Sequence, residues 1–258
     1  MYLSAERLAL ANQTVRETFE QTSVAWQAIP HWDTGDPSQT AVSQDNLTPP
    51  INLLSLTPAH VVSFTLTLAE VVAPTADTLL ANVIASTVQL AADFDTAVFP
   101  ALLTGTTPKQ VVGGITASDL LIALIAARAQ VENNGYRAPS CLVTDTFGVM
   151  ALAASTIANG YAGTDVLLPP ANVNSLQRVD TLATDPDVRG WLLGRRQRIA
   201  PAGAADASAG EEAVDIAVSI PPSLEVVGEV AANTIELRVR IAYATRVKDE
   251  GGLVAFTV

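Results

Sequence analysis

The first pattern along the chain is amphipathic. Within residues 3–20 the apolar positions lie three or four apart, with charged residues between them; they are Leu8, Ala11, Val15 and Phe19. This spacing predicts a helix close to the start of the sequence. A second helical pattern runs from about 75 to 99, between Pro74 and Pro100, and predicts a rod of about 37 Å at about 1.5 Å per residue.

Strict alternation of apolar and polar residues predicts strands elsewhere. His60–Leu68 alternates cleanly, and so does Thr234–Val247, in which Glu236, Arg238, Arg240 and Arg246 share the polar face. The later strand is long, spanning about 46 Å at about 3.3 Å per residue, with one core-facing side and one polar side. Shorter strands are predicted at Val214–Ile220, Val226–Val230 and Leu253–Val258.

The stretches between these elements differ in their sequence patterns. Pro30 to Pro58 is polar, with strand-like pieces only at Gln39–Ser43 and Ile51–Leu56, and it is predicted to be either disordered or a projecting functional loop. A helix from Ser118 to Glu132, a strand at Ser140–Thr144 and a helix ending near Gly160 predict an α/β layer. Residues 161–200 are broken by prolines, and Pro201–Glu212 is predicted to be an exposed loop.

Composition then narrows the classes of protein. The 258 residues carry a net charge of −12, with 16% charged residues and mean hydropathy of +0.31. So little charge favours an oligomer that hides apolar surface over a bland monomer, and the acidic balance argues against a surface that grips nucleic acid phosphates. The longest apolar run, Leu120–Ala127, is too short to cross a bilayer. We expect a cytosolic protein whose lone Cys141 lies in a buried strand.

Catalytic and metal-binding chemistry finds little support. The two histidines, His31 and His60, have no cysteine or carboxylate at zinc-site spacing, and no nucleophile elbow or phosphate-binding glycine motif occurs. His31 beside Asp33 lacks a nucleophile to complete a triad. The basic group of Arg189, Arg195, Arg196 and Arg198 is predicted to pair with acids of a neighbouring subunit rather than with phosphate. We therefore predict no enzyme, no cofactor and no metal; an unrecognised hydrolase or transferase is the alternative.

Three stretches resemble a known family. Val62–Glu70, followed by Leu90–Phe99 and Gly105, resembles the encapsulin pattern of a strand ending in F-x-L and a helix ending in A-x-x-x-D-x-x-x-F before a glycine. The segment from Ile122 through Gly135-Tyr136 to Val143 is similar to the family's apolar helix, turn and strand. Asn233–Val258 is similar to its closing unit of a long strand, a polar turn and a short strand.

The resemblance is to shell proteins of the HK97 type, encapsulins and phage major capsid proteins, and it implies an α+β fold. Residues 1–27 would be the N-terminal helix or arm and 28–58 the E-loop. Residues 59–112 would be the P-domain strand and spine helix, and 113–212 the A-domain. Residues 213–258 would be returning strands that complete both domains.

The implied function is self-assembly into a closed icosahedral shell of 60 or more copies, without membrane or specific nucleic-acid binding. We expect an encapsulin-like compartment that encloses a cargo protein, since the sequence shows an ordered helix from its start and no scaffolding extension. A phage or prophage major capsid protein enclosing DNA is the alternative. The resemblance further implies a cargo-facing strip of Leu8, Val15 and Phe19, for which packing on the P-domain is the competing interpretation.

The seams between subunits are expected to be non-covalent. Some HK97-type capsids form Lys–Asn links from a lysine on the E-loop, but the two lysines here are Lys109 and Lys248, both outside residues 30–58. Cohesion is therefore predicted to come from apolar burial and charge pairing. Arg238, Arg240 and Arg246 are the candidate interface charges, with Glu225 or Glu229 as partners.

Overall fold

The structure is a computed structural model, and it describes residues 3–44, 52–56, 60–154, 163–195 and 212–258. The chain divides into two compact units. Unit 1 comprises residues 1–27, 31–95 and 216–244, and unit 2 comprises residues 28–30, 96–215 and 245–258. The division falls within four elements: α2 (Val24–Ala28), α4 (Asp77–Ala101), β9 (Val214–Ala231) and β10 (Thr234–Val247).

Unit 1 contains a four-stranded sheet and a small hairpin. Its other elements are α1 (Ala5–Thr22), β1 (His31–Asp33), β2 (Ala41–Ser43), β3 (Leu53–Ser55), β4 (His60–Thr67) and α3 (Leu68–Val71). The sheet order is β1-β9-β10-β4, with β1 parallel to β9 and β4 antiparallel to β10. Strands β2 and β3 pair with each other, and the hairpin's Val42 and Leu56 pack on Ala217 and Ala244 of the sheet strands.

Local signals in the sequence begin and end these elements. The Ser4 side chain accepts a hydrogen bond from the Arg7 backbone N–H and caps α1. Thr67 and Glu70 form a capping box at the start of α3. Asn233 takes the left-handed conformation, φ 61°, in the tight turn between β9 and β10, where asparagine is among the residues that tolerate it best.

The core of unit 1 is aromatic at one end and aliphatic along β10. Ring centroids lie 5.3 Å apart for Phe19 and Phe94 and 4.5 Å apart for Phe94 and Tyr243, both in edge-on geometry. Aromatic pairs prefer this arrangement to a face-to-face stack. The apolar face of β10 is fully buried at Ile235, Leu237, Val239 and Ile241. Helix α1, helix α4 and β10 therefore share one core in this unit.

Unit 2 contains a mixed five-stranded sheet of order β5-β11-β8-β6-β7. Its strands are β5 (Lys109–Val111), β6 (Arg137–Thr144), β7 (Val173–Arg178), β8 (Val188–Arg195) and β11 (Leu253–Thr257), and its helices are α5 (Ala117–Asn133), α6 (Thr146–Ala154) and α7 (Gly163–Leu167). Strand β8 is antiparallel to β6 and β11. Trp191 on β8 is completely buried and donates its indole N–H to the Leu182 carbonyl at 3.0 Å.

Most predicted elements are confirmed to within a few residues. The helix expected over 75–99 is α4, the helix expected over 118–132 is α5, and the late strand has the predicted bounds. No helix in the described ranges is long and apolar enough to cross a membrane. Of the predicted loop at Pro201–Glu212, all but Glu212 lies outside the described residues. Residues 155–160 of the helix predicted to end near Gly160 also lie outside them.

One strand of the structure was wrongly predicted as two. Val214–Ile220 and Val226–Val230 were predicted as two strands, whereas the structure has the single strand β9, which continues through Pro221-Pro222. The pairing of β1 with β9 covers only residues 216–218. Beyond that point this side of β9 has no strand partner among the described residues, so the one of the two adjacent prolines that faces this side need not donate to a ladder.

Candidate assembly surfaces

The polar face of the β9–β10 hairpin carries a compact charge cluster. The Glu225 carboxylate accepts hydrogen bonds from Arg238 Nε at 2.7 Å and pairs with Arg240 Nη1 at 2.9 Å. All three side chains are about one third exposed. The hydrogen bond from Arg238, followed by the charge of Arg240, holds the pKa of Glu225 below its ordinary value. The structure thus brings two of the three candidate interface arginines together, each paired within its own chain.

Arg246 lies in a different environment, which corrects its place among the candidate interface charges on the polar face of β10. Its guanidinium donates from Nε and Nη2 to the two oxygens of Asp215, each at 2.6 Å, and Lys248 Nζ reaches the same carboxylate at 2.8 Å. The Arg246 and Asp215 side chains are 5% and 2% exposed. Alternation identifies the face of β10 that carries Arg246, but at this end both faces of the strand are buried.

The predicted cargo-facing strip lies mainly inside unit 1. Val15 and Phe19 are 0% exposed, and the Phe19 ring packs against Phe94 and Trp26. Leu8 is half-buried. Because a side chain enclosed by its own subunit cannot contact cargo, the cargo-facing expectation is corrected for Val15 and Phe19. Only Leu8 of the three has exposed surface.

Asp95, the aspartate of the A-x-x-x-D-x-x-x-F pattern, is a carboxylate whose burial the sequence did not predict. It accepts hydrogen bonds from Ser23 Oγ at 2.6 Å and from the backbone N–H groups of Ala25 and Val24, both at 2.9 Å. Burial raises the pKa of Asp95, against the opposing effect of these donors. Burial also raises the pKa of Tyr243, and the Asp95 charge adds to that rise. Asp95 therefore fixes the junction between α1 and α2 in the interior of unit 1.

The remaining candidate residues have structural surroundings. His31 stacks on Trp26 with centroids 3.7 Å apart, and His60 Nε2 lies 3.5 Å from the Tyr243 hydroxyl. Cys141, the single cysteine of the sequence, is buried. In the part of the chain that the structure describes, no three His, Cys, Asp or Glu side chains are grouped so as to hold a metal ion.

Some basic side chains outside the hairpin also have acidic partners in the same chain. Arg189 contacts Asp145 at 2.9 Å, and Lys109 contacts Asp185 at 3.1 Å. Of the predicted arginine group, the side chains of Arg195, Arg196 and Arg198 lie outside the described part of the structure. The pairing of Arg189 with an acid is therefore intramolecular, where the sequence led us to expect an acid of a neighbouring subunit.

Large apolar side chains are exposed on both units. Those exposed by more than 60% are Leu53, Val72, Val111, Ile115, Ile122 and Met150. Single exposed apolar residues are ordinary on soluble proteins, whereas contiguous groups of them mark interaction surfaces. The low proportion of charged residues in the sequence is thus matched by apolar side chains at the surface of the folded subunit.

Comparison with known proteins assigns the fold. No family model and no curated protein sequence matches this chain. The structure matches the subunit of a virus-like particle from Pyrococcus furiosus with a TM-score of 0.70, 15% identity and coverage of 98% of each chain. A phage-related protein from Bordetella bronchiseptica RB50 matches at 0.67, with 12% identity and 96% of each chain covered. The capsid of an empty GTA particle matches at 0.57, with 15% identity and coverage of 92% and 90%.

The chain therefore has the HK97-like capsid fold. The match extends over almost the entire length of the first two proteins, so both units belong to the shared fold. The predicted α+β class and the resemblance to HK97-type shell proteins are confirmed. At 12–15% identity, the likeness establishes how the chain folds, and function has to be argued separately.

Proposed function

We propose that this chain is the structural subunit of a closed icosahedral protein shell. The observation that carries the proposal is the match over 98% of each chain to a subunit of a virus-like particle. The exposed apolar side chains support it, because assembly would remove them from water. The partner is the chain itself, in 60 or more copies, and the assembled particle works in the cytosol without a catalytic role.

The two units take the roles that the fold suggests. We assign residues 59–112 and the hairpin of β9 and β10 to the P-domain, with α4 as its spine helix and α1 as the N-terminal helix. Residues 28–58, whose described strands are β1, β2 and β3, are assigned to the E-loop. Residues 113–212 are assigned to the A-domain, and β5 and β11 complete its sheet from the segments on either side. The E-loop is the element that reaches to a neighbouring subunit in this scheme.

Two candidate functions differ in what the shell encloses. We favour a compartment that encloses a cargo protein, because a net charge of −12 offers little basic surface for packaged DNA, while the TM-scores of 0.70 to the Pyrococcus virus-like particle and 0.67 to the phage-related protein support a shell of either kind. The phage-related and capsid relatives favour a phage or prophage capsid enclosing DNA as the second candidate. Nuclease-treated particles from the native host would separate them: a co-purifying protein supports the first, and protected DNA supports the second.

Solution mass tests the shell itself. Purified protein measured by light scattering should have a molar mass of at least roughly 1.6 MDa, which corresponds to about 60 copies of the 26.9 kDa chain. A mass that stays at one to six subunits at every concentration up to about 100 μM would refute the proposal.

A further inference from the structure

Helix α5 ends at an Asn-Gly pair that water can reach. Asn134 follows the last residue of the helix with φ −88° and ψ 8°, and Gly135 takes the left-handed conformation, φ 85°. Glycine adopts this conformation at a helix end without steric cost. Both residues are exposed. The end of α5 therefore places a glycine directly after an exposed asparagine.

The Asn134 side chain fastens this end of α5 to the turn at Glu250–Gly252, which leads into β11. Its Nδ2 donates to the carbonyls of Gln130 and Gly251, each at 3.1 Å. The Asp249 carboxylate holds the other side of Gly251 and accepts its backbone N–H at 2.9 Å. The contact is tight, since a Cβ added to Gly251 would lie 2.9 Å from Asn134 Cγ. Helix α5 and the turn both belong to unit 2.

An asparagine followed by glycine is open to deamidation, a reaction of the chain with itself and with water. The backbone nitrogen of Gly135, after losing its proton to a base in solution, forms a bond to Asn134 Cγ, and Nδ2 leaves as ammonia. The product is a succinimide ring, and water opens either of its carbonyls to give aspartate or isoaspartate. Glycine favours the attack because it has no Cβ to crowd the reacting backbone.

The folded structure opposes this reaction. A ψ of 8° eclipses the Gly135 nitrogen with the backbone nitrogen of Asn134, so the attacking atom points away from the side chain. The N–H of Gly135 donates to the Glu132 carbonyl at 3.0 Å, which hinders the loss of its proton. The bonds from Nδ2 to Gln130 and Gly251 keep the side chain from rotating towards that nitrogen. Attack accordingly requires the end of α5 to open locally.

We propose that Asn134 is a deamidation site which its contact with Gly251 keeps unreactive, and that the reaction, once it has occurred, opens this contact permanently. The carboxylate of the product has no N–H to donate, so it faces the carbonyl oxygens of Gln130 and Gly251 without a hydrogen bond. Its negative charge also lies at the C-terminal end of α5, where the helix dipole disfavours it. The contact therefore protects the amide while it is closed and cannot close again after the amide is lost. This inference does not depend on what the folded chain assembles into.

Peptide mapping of aged protein by mass spectrometry tests the site. It measures Asn134 separately from Asn159-Gly160, the other Asn-Gly pair of the sequence. At mildly alkaline pH, Asn134 of the native protein should deamidate at least about fivefold more slowly than Asn134 of the chain in guanidinium chloride, because each hydrogen bond of the contact favours the closed state by about that factor. Equal rates in the native and the denatured protein would overturn the inference.

Gly251→Ala tests the protecting contact without altering the residues that react. The added methyl group displaces the Asn134 side chain, so deamidation at Asn134 in the native state should become at least about fivefold faster. Gly113→Ala is the matched control, because among the described residues only its chain neighbours come within 4 Å of an added Cβ, and its rate should stay within about twofold of wild type. An unchanged rate in folded Gly251→Ala would refute the protecting role. If Gly251→Ala does not fold, the comparison of native with denatured wild type decides the question.

Asn134→Asp tests the permanent opening. The Tyr136 N–H donates to the Val131 carbonyl at 3.0 Å and closes the end of α5. Its hydrogen exchange should be at least about threefold faster in Asn134→Asp than in wild type. Asn133→Asp is the matched control, because it adds the same charge one residue earlier and leaves the contact with Gly251 intact, and exchange should change by less than about twofold. Equal exchange in wild type and Asn134→Asp, or equal acceleration in both variants, would overturn the permanent opening.

Discussion

Arg246 holds Asp215 in a two-pronged ion pair, with Nε and Nη2 each 2.6 Å from a different carboxylate oxygen. Both side chains are buried, and Lys248 adds a third charge to the same carboxylate. Removing such a pair from water costs free energy, but leaving one of its charges buried without a partner costs more. The pair therefore makes the end of β10 in unit 2 sensitive to the loss of either partner.

Asp215→Asn tests this relationship. It should lower the free energy of unfolding by about 3–5 kcal/mol, because it leaves the cations of Arg246 and Lys248 buried without a counter-charge. Urea titration followed by tryptophan fluorescence measures the change. The matched control is Asp185→Asn, whose lysine partner is 47% exposed, and it should cost less than about 1 kcal/mol. A loss for Asp215→Asn no larger than that of the control would contradict the account.

The pH dependence of stability tests the environment of Asp95. Because burial raises the pKa of Asp95 in the folded protein, the native state binds this proton more readily than the unfolded chain does. The stabilisation that protonated Asp95 gives the folded protein is present in full below the ordinary pKa of 3.8. It is lost as the pH rises through the pKa of Asp95 in the folded protein. The stability advantage of wild type over Asp95→Asn should therefore shrink as pH rises from about 4 to 7. An advantage that grows over this range would mean that the hydrogen-bond donors outweigh burial.

The charge cluster on the β9–β10 hairpin should matter more for assembly than for folding. Glu225→Gln leaves Arg238 and Arg240 without their carboxylate, but because the cluster is partly exposed, the free energy of unfolding should fall by less than about 1 kcal/mol. If these arginines lie at a subunit contact, the concentration required for assembly should shift by about threefold or more.

Glu229→Gln is the control for this prediction. It removes the same charge from the same hairpin, and its amide oxygen can still accept the hydrogen bond from the Asn233 N–H. Light scattering across a dilution series would measure both variants. Equal assembly by wild type and both variants would show that Glu225 and its arginines act only within the subunit.

Assembled particles should contain no covalent links between subunits. Lys109 and Lys248 are engaged with Asp185 and Asp215, and Cys141 is buried. Residues 30–58 contain no lysine, so an E-loop amine is missing for an isopeptide bond. Particles boiled without reductant should give a single band near 26.9 kDa on a denaturing gel. A ladder of multiples would contradict the prediction.

The sequence predicted elements well where local periodicity determines them. The alternation in β10 gave its bounds and its buried face, and the helical spacing after Pro74 gave α4. Strands β7 and β8 were missed because β7 is short and β8 is buried on both faces, with Pro169-Pro170 before β7 and Pro186 between the two strands. No periodic signal separates such strands from loops.

The candidate surfaces could be predicted less well, because they depend on contacts between residues far apart in the sequence. The donors that surround Asp95 lie about 70 residues earlier in the chain, so no local pattern predicts its burial. The pattern in β10 identified the polar face that carries Arg246, but not the element that covers it. The lining of an apolar pocket beside Phe147 comes from four separate segments, residues 112–124, 142–152, 189–190 and 256–258, and only the fold brings them together.

Cryo-electron microscopy of the purified wild-type protein tests the central claim most directly. The account predicts closed particles of uniform diameter with icosahedral symmetry, in which each subunit shows the 25-residue helix α4 and the long β9–β10 hairpin. Monomers, open sheets or fibres formed by well-folded protein under every assembly condition would contradict it.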